Sequence, residues 1–248
     1  MKGGKNLYFD KRVIYIILGC LILSTVIGYL SDPNKLLGLI ISIPAVLIAI
    51  TFHEFAHAFA ADKLGDDTPR RQGRLSLNPL HHLDPVGSLL LLFAGFGWGK
   101  PVEVNPSNFN RNISMEKANA IVSVAGPLMN FFLAIVFTFI YCAIFKFAPK
   151  VLIGTTGGAI QLLLTSIISI NVGLGVFNLI PLPPLDGSKV IMPFLPSNAK
   201  RFFIEREQIF YIIFIFLWIL GIAGYLISPI INYIYKFIID LGLTIFRL

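Results

Sequence analysis

The sequence predicts an all-α polytopic membrane protein of about six transmembrane helices, with a small strand or re-entrant segment between the second and the third. Three observations carry that expectation. Of the 248 residues, 56% are hydrophobic and 13% are charged. Mean hydropathy is +0.79, a value that water-soluble domains do not reach. Apolar runs near the length of a bilayer crossing recur along most of the chain, and a crossing needs about 20 such residues. The net charge of +7 is scattered through short connectors rather than gathered on one face. It therefore bears on membrane orientation and not on nucleic acid, which is not expected as a partner. Cys20 and Cys142 sit inside apolar runs without paired spacing and carry no redox meaning.

Taken in order, apolar runs at 13–30, 36–61, 118–145, 159–182, 208–227 and 230–245 make six candidate spans within one domain over 1–248. The core is expected at 36–190 and the C-terminal helices at 208–246. The first run is followed by no Ala-x-Ala-type cleavage site and reads as a retained span. Gly221, Gly224 and Ser228-Pro229 divide the fifth from the sixth, one long tilted or kinked helix being the alternative. Along the connectors and tails, Lys and Arg number four, one, seven, two, four, none and one. That alternation places both termini in the cytosol. The second and fourth spans then run outside to inside, and their C-terminal ends meet at one depth.

The connector at 62–117 is not uniformly polar. Residues 86–97 are apolar but too short to span, and read as re-entrant, interfacial or strand-like. Residues 74–77 and 100–104 alternate with the strand period between Gly and Pro, which predicts a small sheet or hairpin against the membrane face.

The chemistry lies in the second span. Thr51-Phe52-His53-Glu54-Phe55-Ala56-His57 is an H-E-x-x-H sequence. On a helix His53 and His57 share a face and can converge on one metal, with Glu54 about 100° away. This composition produces that pattern by chance roughly once in a thousand such chains. A carboxylate in an apolar span is costly unless it has a task. Zinc in a hydrolytic site takes three protein ligands and leaves one position open. The remaining histidines, His81 and His82, lie in an Asn-Pro turn and read as turn or interface residues. Asp186 is the carboxylate attached to the end of a span that meets the motif at its own depth, so the ligand set is His53, His57 and Asp186. Pro181, Pro183 and Pro184 bar a regular helix before it, and such irregular backbone is tolerated at membrane depth where it lines a wet cavity. Glu54 is expected to take a proton from the attacking water and to hand it to the leaving nitrogen.

The H-E-x-x-H sequence in one span and Asn178-Leu179-Ile180-Pro181-Leu182-Pro183-Pro184-Leu185-Asp186-Gly187 at the end of a later one resemble the site-2 proteases, the intramembrane zinc metalloproteases. The resemblance runs over about 36–189 and includes Gly126-Pro127-Leu128-Met129-Asn130. It implies one zinc per chain held by His53, His57 and Asp186, Glu54 as general base, and cleavage of transmembrane protein substrates, often to release signalling or transcription factors. By position it makes Asn178 and Asn130 supports near the scissile peptide. Asn178 could donate to a developing oxyanion or cap freed backbone; Asn130, beside Gly126, serves helix packing equally well. The sequence lacks a PDZ domain and a nucleotide-binding module, which resembles the compact branch of the family.

A substrate helix must unwind before its peptide bonds are open to attack, and 100–105 or 74–77 is the expected edge for main-chain capture. The rival readings are a metal transporter or non-proteolytic metal-binding membrane protein, and a scaffold for transmembrane partners. The compact form suits a prokaryotic cell membrane, with the site toward the cytosol, bilayer lipid around it, and homo-oligomerisation left open.

Overall fold

The computed structural model describes residues 31–94 and 99–248, together with 19, 20, 23, 24 and 27–29. Most of the first apolar run, 13–30, lies outside the described residues. Four described helices are long and apolar enough to cross a membrane: Lys35–Lys63, Met115–Phe147, Gly154–Asn178 and Ile222–Phe246. The first belongs to α1 (Pro33–Lys63), which begins on a proline at the position where a missing N–H costs nothing.

The connector after α1 contains α2 (Thr68–Arg71) and α3 (Pro85–Ala94). α3 has 10 residues, about 15 Å at 1.5 Å each, half of a hydrocarbon core. Among the described residues no strand forms: 74–77 and 100–105 do not pair into a ladder. The reason is a side chain. Arg74 is buried, and its guanidinium takes the carbonyls of Lys100 and Pro101, which a ladder between the two segments would have used, and also that of His81. Pro101 also has no N–H to offer. Asp66, fully buried, ties the connector to the end of α1 by accepting from Thr68 N, Asn105 N and Asn108 Nδ2.

α4 (Met115–Phe147) opens on Ser114, whose hydroxyl accepts from Lys117 N. α5 (Gly154–Asn178) follows a Pro149–Leu152 turn. α1, α4 and α5 pack together around small residues, and Ala134, Ile168, Val172, Val176 and Ile238 form a buried cluster joining α4 and α5 to the C-terminal helix. Past α5 come α6 (Asp186–Ile191), α7 (Ser197–Glu205), α8 (Glu207–Ile219) and α9 (Ile222–Phe246).

The C-terminal pair corrects one expectation. The chain breaks at Gly221, where φ is +73°, a left-handed conformation natural to glycine. It does not break at Ser228-Pro229: Pro229 lies inside α9, and Ser228 Oγ donates to Gly224 O there. α8, with 13 residues, is about 20 Å long and too short to span alone. The described residues thus hold four spanning helices and one short apolar helix where the sequence predicted the second to sixth spans.

Outward faces carry large apolar side chains, among them Leu37, Ile40, Leu128, Phe132 and Phe237. In water such a surface would aggregate; against lipid tails it carries no penalty.

Candidate metal centre

The H-E-x-x-H sequence is helical in α1, and the 3.6-residue period sets His53 above His57 with ring centroids 4.6 Å apart. Their Nε2 atoms are 3.0 Å from each other. Asp186 is the first residue of α6, delivered by the Pro-rich turn after α5. Its Oδ2 lies 3.2 Å from both Nε2 atoms. Both histidines are buried and Asp186 nearly so. Among the described residues this is the one cluster of three such side chains able to share a metal ion.

Two close approaches make that convergence sterically feasible. A methyl group on Gly126 of α4 would fall on His57 Nε2 and His53 Nε2. One on Gly187 would overlap the carbonyls of Leu179 and Ile180 and push α6 off the end of α5.

Hydrogen bonding decides the protonation of the rings. His57 Nδ1 is 2.7 Å from Val122 O. A carbonyl only accepts, so Nδ1 carries the proton. His53 Nδ1 is 2.6 Å from Asn130 Oδ1, and the Asn130 amide donates from Nδ2 to Ala49 O and to Asn171 Oδ1 at 3.1 and 2.9 Å. In its neutral form each ring then turns an unprotonated Nε2 toward Asp186. Two lone pairs and a carboxylate facing one another in a buried space repel unless a cation sits between them. Zinc fits: bonds of about 2.0–2.1 Å in a tetrahedron give ligand separations of about 3.3 Å, close to the 3.0–3.2 Å found here.

Glu54 is buried beside this group and its Oε2 accepts from Val102 N at 3.1 Å. The segment 100–105 therefore reaches the site through its backbone. An apolar groove of about 280 Å³, lined by Phe55, Phe59, Ala125 and Phe132, runs between α1 and α4.

Of the expected site residues, the structure brings together His53, His57, Asp186, Glu54 and Asn130. Asn178 closes α5, where its Nδ2 donates to Leu174 O. His81 and His82 stay outside the cluster. His82 is fully buried, donates from Nε2 to Ser76 O, and has its pKa pushed down by burial. Asn171 was missed by sequence reasoning, although a fully buried Asn in the apolar run 159–182 is a signal of its own.

The profile of Peptidase family M50 matches residues 154–221, which include Asp186 and its turn. The chain is 37% identical over 187 residues to "Putative zinc metalloprotease YwhC" of Bacillus subtilis (strain 168), covering 75% of this chain and 84% of that protein. It is 30% identical over 196 residues to "Putative zinc metalloprotease Rip2" of Mycolicibacterium smegmatis, covering 78% and 69%. "Putative zinc metalloprotease MJ0611" of Methanocaldococcus jannaschii is 30% identical over 186 residues, covering 74% and 85%. No solved structure matches the chain. A shared sequence over three quarters of the chain, a zinc-compatible triad and lipid-facing helices lead to one conclusion: this chain belongs to peptidase family M50, the site-2 protease family, and is a membrane zinc metalloprotease.

Proposed function

We propose that this chain is an intramembrane endopeptidase that hydrolyses peptide bonds of membrane-embedded protein substrates, with one zinc per chain held by His53, His57 and Asp186. The observation that carries this reading is the convergence of three ligating atoms within 3.2 Å beside the buried Glu54, on helices that face lipid. Zinc, when bound, supplies Lewis acidity that acidifies water and polarises a carbonyl.

The remaining work falls to the chain. Glu54 accepts the proton of the attacking water at a carboxylate oxygen and returns it to the leaving amide nitrogen. Val102 N–H holds Glu54 Oε2 in place for that exchange. Asn130 holds His53 in the ligating tautomer. Asn178 keeps one amide hydrogen beyond its bond to Leu174 O, which suits donation to the substrate carbonyl. Segment 100–105, beside Glu54, is the backbone against which an unwound substrate would pair. The distribution of Lys and Arg supports a cytosolic N-terminus and a cytosolic-side site in a multi-pass cell-membrane protein, and bacterial and archaeal relatives support a prokaryotic one.

The test compares wild type with Glu54→Gln for bound zinc and for cleavage of a labelled transmembrane substrate. Retained zinc with abolished cleavage is the expected result. Cleavage surviving in the variant would sink the mechanism. Zinc binding with no cleavage by either protein would favour a metal transporter or binding protein.

A further inference from the structure

The hydrogen bonds behind His53 form a chain with one direction. It starts at two backbone carbonyls, which can only accept. Ile167 O takes Asn171 Nδ2 at 2.8 Å, which turns Asn171 Oδ1 toward α4. That oxygen takes one amide hydrogen of Asn130 at 2.9 Å, and Ala49 O takes the other at 3.1 Å. With both amide hydrogens committed, Asn130 has only its oxygen left for His53 Nδ1. Asn130 and Asn171 are each 0% exposed, so no solvent competes for these groups.

We infer that Asn171 is a positioning residue for the metal site: it locks the Asn130 amide so that His53 keeps its proton on Nδ1 and its lone pair on Nε2. Without the Asn171 acceptor, Asn130 is held by Ala49 O alone and its amide can turn over. The turned amide would present N–H to His53 Nδ1, move the proton to Nε2, and remove the ligating lone pair. Asn171 thus acts from α5 on a ligand in α1 through a residue of α4, three helices meeting in one relay.

The role rests on the zinc reading above, and the experiment separates the two. Full-length protein in detergent micelles is titrated with zinc against a chromogenic chelator, and the cobalt-loaded form is read by its visible absorption. Asn171→Ala is expected to weaken zinc binding 10- to 100-fold, the range for outer partners of metal-bound histidine, and to alter the cobalt spectrum. In an Asn130→Ala background, Asn171→Ala should weaken zinc no further, because the relay is already cut. Asn171→Leu, with the same number and branching of side-chain heavy atoms but no polar group, repeats the test should the alanine cavity prevent folding. Wild-type affinity and spectrum in Asn171→Ala or Asn171→Leu would overturn the inference, and so would full additivity with Asn130→Ala, the behaviour of a merely structural contact. Weakened zinc binding in a protein with no detectable cleavage would leave Asn171 its role and remove proteolysis; a wild type that binds no zinc would remove both.

Discussion

At the scale of single residues, the site depends on where protons sit. His53 and His57 could hold a metal through Nε2 only as neutral rings with Nδ1 protonated, and Asn130 Oδ1 and Val122 O accept from Nδ1 in that tautomer. Replacing a ligand should therefore cost more than replacing its support. His57→Ala and Asp186→Asn are expected to lose zinc by more than the roughly 10- to 100-fold of an outer-partner variant, measured as metal content after dialysis. Val102→Pro removes the N–H that holds Glu54 Oε2. It should leave zinc content intact and slow cleavage by up to about 100-fold, the scale of a misplaced catalytic group. His53, His57 and Asp186 were legible in the sequence because four histidines and an apolar background left few alternatives. Asn171 and the Val102–Glu54 bond were not, because each is a contact between helix and partner far apart in sequence.

At the scale of elements, glycines decide how closely helices meet. Gly126→Ala places a methyl group between the two Nε2 atoms; zinc affinity should fall by about 100-fold or more while helix content by circular dichroism stays unchanged. Gly221→Ala acts elsewhere. Its φ of +73° should cost an alanine about 1–2 kcal/mol, seen as a lower thermal midpoint with normal zinc content. The periodicity of 74–77 and 100–104 predicted a hairpin, yet the structure pairs neither segment. Alternation reports which residues face inward; it does not report that Arg74 fills the space between the segments. The C-terminal break was placed among three candidates by the sequence, and the positive φ at Gly221 chose one of them.

At the scale of the whole molecule, Asp66 ties the connector after α1 back onto the end of that helix. Burial raises the Asp66 carboxyl, and hydrogen bonds from Thr68, Asn105 and Asn108 outweigh that effect and leave it below the ordinary carboxylate value. A group depressed on folding contributes stability above its unfolded pKa of about 3.9 and loses it as pH falls through the folded value. The thermal midpoint should accordingly drop below about pH 4. In Asp66→Ala that acid-induced drop should be smaller and the midpoint at pH 7 should already be lower; an unchanged acid profile would show that Asp66 anchors nothing.

The sequence by itself determined the membrane class and singled out His53, His57, Asp186 and Glu54 as the candidate site, since hydropathy, spacing and composition are properties of the chain read in one dimension. Only the tertiary structure decided that the three candidate ligand atoms lie within 3.2 Å of one another, that both rings turn Nε2 inward, and that Asn171 stands behind His53. Those facts depend on three helices approaching across glycine-sized gaps, and such an approach is a balance of packing between distant segments that no local pattern encodes.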